Sequence, residues 1–75
     1  MIKCKAKKSE ILLSMALNGY NQKILSDIAK VNKTTISLLL NNKITLTPKS
    51  AQKIANALSV EMNEIFEFVN LGGES

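Results

Sequence analysis

The side chains able to do chemistry in this chain are few, and their types narrow what that chemistry can be. There is no histidine, so the group that most often moves protons near neutral pH is missing. The single cysteine, Cys4, stands among Lys3, Lys5, Lys7 and Lys8. That setting is expected to favour its thiolate, but no base or orienting partner accompanies it. One cysteine without histidine gives no zinc-ligand set. Glu61, Glu64 and Glu67 recur every third residue, which on a helix makes a solvated acidic face rather than an acid–base pair. No glycine-rich phosphate loop is present. The chain is therefore not read as an enzyme, and neither cofactor nor metal is expected. What does recur is a run of hydrogen-bonding and cationic residues: Asn32, Lys33, Thr34, Ser37 and Asn41, with Lys43 and Lys49 beyond. Such side chains read donor and acceptor patterns or hold phosphates, which is the chemistry of recognition.

Charge agrees with that chemistry. All ten lysines lie between Lys3 and Lys53, where only Glu10 and Asp27 oppose them. From Ile54 onward come four acids and no base. The net charge of +4 thus combines a basic body with an acidic end, which suits a polyanion on the basic side. The opening MIKCKAKKSE lacks the apolar run of a signal peptide. No apolar stretch approaches the ~20 residues needed to span a bilayer, so no membrane association is expected. A lone cysteine gives no disulfide framework, and a cytoplasmic location is the simplest inference.

Seventy-five residues make one small domain, able to bury only about 60% of its unfolded surface. Its three aromatics are Tyr20, Phe66 and Phe68, so the core has to be largely aliphatic. Five helices and no strand are predicted, an all-α fold. Residues 1–8 read as a basic N-terminal arm, 9–69 as the domain and 70–75 as a flexible C-terminal tail. Ser9 caps the first helix, which turns Ile11, Leu12, Met15 and Ala16 inward, and Asn18-Gly19 ends it. Asn21 caps a second helix with Leu25, Ile28 and Ala29 inward. Asn32 caps a third, from Lys33 to about Asn41. Thr47-Pro48 starts a fourth, with Ala51, Ile54, Ala55 and Leu58 at i, i+3, i+4 and i+7. A last short helix holds Met62, Ile65 and Phe66.

The stretch from Gln22 to Asn41 has the spacing of a helix-turn-helix. Counting Gln22 as the first position, apolar residues are wanted at the fourth, eighth, tenth, fifteenth and eighteenth. These are Leu25, Ala29, Val31, Ile36 and Leu39. The fifth must be small where the second helix passes, and it is Ser26. At this point the sequence resembles the Cro/repressor, or XRE-type, helix-turn-helix family. The family pattern runs G-[LM]-[ST]-Q-x-x-L-A-x-x-x-G-V-S-x-x-T-I-S, with a later helix ending A-x-x-L-x-V and then E-[IL]-F. This chain has GYNQKILSDIAKVNKTTIS and then KIANALSVEMNEIF, so the likeness covers Gly19 to Phe66. It implies a compact five-helix, DNA-binding and often dimeric transcriptional regulator of phage or mobile-element genes. Two positions depart from the pattern. Lys30 replaces the turn glycine, which calls for a positive φ at a cost of roughly 1 kcal/mol or more. Asn32 replaces the usual serine, an exchange of one capping residue for another.

The three consecutive leucines of the third helix, Leu38, Leu39 and Leu40, cannot all face one core. With Ile36 set inward and 100° per residue, Leu39 falls at about −60°, Leu40 at about +40° and Leu38 near 200°. Thr34, Leu38 and Asn41 therefore form an outward row, with Ser37 at its edge. In the resembled family this row enters the major groove of double-stranded DNA. Lys33 can then donate to guanine, Asn41 can engage adenine, and Leu38 can touch thymine methyls. Gln22 matches the family position that hydrogen-bonds a phosphate and braces the recognition helix, while Lys43 and Lys49 are candidates for phosphate contacts. The alternative reading has Thr34, Leu38 and Asn41 meet protein, as an antirepressor masking another helix-turn-helix repressor would do. A homodimer would place two recognition helices about 34 Å apart, and Phe66, Phe68, Val69 and Leu71 are the candidate contacts for it.

Overall fold

Side-chain and proline caps set most of the helix starts. The computed structural model describes residues 1–70. Its elements are β1 (Ile2–Ala6), α1 (Lys8–Asn18), α2 (Gln22–Ala29), α3 (Lys33–Leu40), α4 (Pro48–Leu58), α5 (Met62–Ile65) and β2 (Phe66–Asn70). Asn21 Oδ1 accepts from Ile24 N at 2.8 Å and Asn32 Oδ1 from Thr34 N at 2.7 Å. Each satisfies a backbone donor that has no partner within its own helix. Thr47 with Pro48 opens α4, the threonine hydroxyl accepting from Ser50 N at 3.4 Å. Gly19 ends α1 in the left-handed conformation at φ 71°. The first helix begins earlier than Ser9 suggests: Lys7 precedes it without a side-chain cap, and Ser9 lies inside it.

The chain is helix-rich but not all-α, because its two ends pair. β1 and β2 run antiparallel, with Lys3 opposite Val69, Cys4 opposite Phe68 and Lys5 opposite Glu67. On its other side β1 takes an isolated bridge from the α3–α4 loop. Cys4 N donates to Leu46 O at 2.7 Å, and Leu46 N donates to Cys4 O at 2.9 Å. Residues 2–6, expected to form a basic arm, are thus a strand built into the fold, with Cys4 and Ala6 in the core. The last helix stops at Ile65, and Phe66 continues as extended chain. Glu67 consequently sits on a strand and shares no helical face with Glu61 and Glu64. Glu64 has a capping role instead, its carboxylate accepting from Glu61 N at 3.2 Å.

α4 lies at the centre, packed against α1, α2, α5 and β1. The core joins Ile11 and Met15, Leu25 and Ala29, Ile36, Leu39 and Leu40, Ile54, Ala55 and Leu58, Ile65 and Phe66. Three expected inward positions are uncovered: Leu12, Ala16 and Ile28 are exposed. Leu12 and Ala16 lie about 100° and 140° around α1 from Ile11, beyond the strip that α4 and α5 cover. Burial pushes the Cys4 thiol above its ordinary value of 9.0, so desolvation prevails over the neighbouring lysines that were expected to lower it. Among the described residues no helix is long and apolar enough to cross a membrane.

Candidate nucleic-acid interface

The turn between α2 and α3 fixes the presentation of α3. Lys30 adopts φ 60° and ψ 38°, the left-handed conformation that its place in the sequence requires. Ser26 Oγ donates to Val31 O at 2.6 Å. A larger residue at position 26 would lose that bond and separate the helices. Val31 packs against the core, completing the apolar set Leu25, Ala29, Val31, Ile36 and Leu39.

The three leucines of α3 divide as helical geometry demands. Leu39 and Leu40 are 1% and 4% exposed, while Leu38 is 39% exposed. Thr34 and Asn41 are exposed on the same row, and Ser37 at its edge is half-buried. Lys33, the first residue of α3, is also exposed.

Hydrogen bonds constrain what two of the polar residues can offer. The Asn32 carboxamide oxygen is committed to the cap, leaving its nitrogen to donate outward. Asn41 folds back so that Nδ2 donates to Ser37 O at 2.9 Å, leaving its oxygen as the outward acceptor. Gln22 is half-buried at the start of α2. It makes no side-chain hydrogen bond among the described residues, so the expected brace to α3 is not made by a direct bond.

Lys43 and Lys49 are exposed at either end of the α3–α4 connection. Lys43 is fixed relative to α3 because its N donates to Leu38 O at 2.9 Å. Between Asp27 and Glu61 the chain has five lysines and no acid. Asp27 itself is taken by Lys23 at 3.4 Å. No acid therefore lies on α3, on the α3–α4 loop or on α4, whose cations are all lysines.

The sequence reading did not find Lys5. It lines a shallow, open depression with Asn42, Lys43, Ile44 and Thr45. What brings it there is the bridge of Cys4 to Leu46, more than forty residues away, which short-range periodicity does not report. The candidate dimer residues also separate. Phe66 is 1% exposed and belongs to the core, so it is not available to a partner. Val69 is half-buried, whereas Phe68 is 46% exposed on β2. Leu71, with the rest of the expected tail at 71–75, lies outside the described residues.

A family model described as a Cro/C1-type HTH DNA-binding domain matches residues 11–70. Comparison with curated proteins and with solved structures gives no match. The matched span takes in α1 from Ile11 onward, α2 to α5 and β2, and therefore the helix-turn-helix, but not β1 with Lys5. The chain belongs to the Cro/C1-type helix-turn-helix DNA-binding family.

Proposed function

We propose that the protein is a sequence-specific transcriptional regulator whose α3 lies in the major groove of operator DNA. The observation that carries this reading is the division of α3: Ile36, Leu39 and Leu40 are buried while Thr34, Leu38 and Asn41 face outward. Lys33 donates to guanine O6 or N7, Thr34 and Ser37 offer hydroxyls, and Leu38 covers a thymine methyl. Asn41 accepts through its free oxygen at the C-terminal end of α3, and the Asn32 amide nitrogen donates at the N-terminal end. Gln22, Lys43 and Lys49 hold backbone phosphates, which set register without reading sequence.

One α3 spans too few base pairs for selective binding, so the reading includes a homodimer. β2 supports it. Cys4 directs its backbone groups to Leu46, so Lys3 and Lys5 direct theirs toward Val69 and Glu67. That alternation leaves the backbone of Phe68 and Asn70 aimed at the outer edge of β2. A second β2 pairing there in antiparallel register about Phe68 sets Glu67 opposite Val69 of the other copy. No like charges then meet directly.

Selection of duplexes from a randomised pool tests the reading. The protein should enrich a two-fold symmetric site and bind it on the order of 1,000-fold more tightly than a scrambled duplex. Both affinities should fall as salt rises. Enrichment of no sequence, together with direct binding of a helix-turn-helix repressor that Leu38→Asp abolishes, would replace it with the masking role.

A further inference from the structure

We propose that Lys5 and Lys43 form a seat for a DNA backbone phosphate beside the C-terminal end of α3. This rests on the DNA-binding reading above and adds to it a strand residue far from the helix-turn-helix in sequence. Three observations bring the two lysines together. The paired bonds between Cys4 and Leu46 clamp β1 onto the α3–α4 loop. Lys5 follows Cys4 in a strand, so its side chain leaves the core face that Cys4 occupies. Lys5 and Lys43 then line the same open depression, whose other walls are Asn42, Ile44 and Thr45.

The loop is held in shape from the other side as well. Asn42 takes φ 57° and its N donates to Leu39 O at 3.0 Å, while Lys43 N donates to Leu38 O. The seat is therefore tied to α3 by Lys43 and to the sheet by Lys5, so its position relative to the reading row is set.

Its charge is unanswered. No acid lines the depression, and neither lysine has an ion pair among the described residues. Glu67 is the cross-strand partner of Lys5 in the ladder, yet their charged groups do not come within ion-pair distance. Two lysines lining one open hollow with no acid in its wall give it a positive potential that an anion would relieve. Asn42 and Thr45 supply polar groups beside them. A phosphodiester oxygen matches this chemistry, and the backbone flanking the groove occupied by α3 is the phosphate within reach.

The test is fluorescence anisotropy of the full chain with two labelled duplexes, one of mixed sequence and one enriched by selection, across a salt series. Lys5→Gln should weaken both by the same factor, roughly five- to tenfold at 0.1 M salt. It should also reduce the slope of log affinity against log salt, by up to about 1.8 for the two seats of a homodimer. Adding Lys43→Gln should complete the loss of that one phosphate per seat without doubling it, and Lys5→Arg should keep the wild-type slope. Lys5 is exposed, so unchanged circular dichroism should accompany the loss. Selective binding by the wild type with an unaltered slope in Lys5→Gln would overturn the seat while leaving the DNA reading intact. Absence of salt-dependent duplex binding by the wild type would remove both. Amide shifts of Asn42 and Lys43 on adding inorganic phosphate alone, with duplex affinity indifferent to Lys5→Gln, would assign the hollow to a small anion and overturn the proposal.

Discussion

The α2–α3 pair and the β1–β2 ladder are held by opposite means. In the helix pair the orienting bonds are short-range: Ser26 to Val31, Asn32 to Thr34 and the left-handed turn at Lys30. Its outward side chains are free of the core. The ladder joins residues 2–6 to 66–70, and on its inner face Cys4, Ala6 and Phe66 are buried while Phe68 is partly exposed. Changes on the first region should alter what the domain binds at small cost to folding. Changes in the second should decide whether the domain is folded. A small domain has little stability to lose, about 0.05–0.15 kcal/mol per residue, so the contrast should be sharp.

The largest effect is expected at Phe66. Phe66→Ala empties the site where the ladder meets the helices and should cost about 3–5 kcal/mol. Thermal unfolding followed by circular dichroism should show the cooperative transition lost or moved down by tens of degrees. A fall of only a few degrees would mean that the ladder does not close the core.

In the helix pair the effects should be smaller. Asn32→Ala removes the α3 cap and should cost about 1 kcal/mol in urea denaturation, whereas Asn32→Ser should recover most of it. If serine recovers nothing, the role of Asn32 is not capping. Lys30→Gly should stabilise the fold by up to about 1 kcal/mol, because glycine adopts the left-handed turn without a Cβ clash. A loss of stability would show that the turn is not strained.

The subtlest test returns to the ladder. Burial raises the Cys4 thiol above 9.0 in the folded state, so the unfolded chain gives up that proton first. The contribution of Cys4 is full below about pH 9 and declines as pH rises from there toward the folded value. Denaturation curves from pH 7 to 10 should therefore fall more steeply for the wild type than for Cys4→Ala. Parallel curves would show that the fold does not keep the thiol neutral.

The contrast also explains which parts of the structure were legible in the sequence. Asn21, Asn32, Thr47-Pro48 and Gly19 mark boundaries by chemistry within a few residues, and each acts as its type suggests. Leu38 facing outward follows from fixed helical geometry, and the positive φ at Lys30 from the turn position it fills in the resembled family. The ladder left no comparable mark. In IKCKA the lysines suggest a solvated arm, and FEFVN follows a helix without a glycine or proline to announce the change. Only tertiary pairing selects the extended form there. Ile28 illustrates a further limit: its angle on α2 adjoins Leu25, but it is 47% exposed in the fold. Periodicity gives the direction of a side chain and not the extent of what covers it. At the interface, the residue types on α3 were readable, while Lys5 became a candidate only once β1 was seen to lie against the α3–α4 loop.

The central claim, that the outward row of α3 meets DNA, is tested most directly by amide chemical-shift mapping. Proton–nitrogen spectra would be recorded while the duplex enriched by selection is added to the labelled protein. The largest shifts should fall at Asn32, Lys33, Thr34, Ser37, Leu38, Asn41 and Lys43, with the exposed Leu13 and Leu17 of α1 unmoved. Shifts centred on α1, or none at stoichiometric duplex, would contradict it.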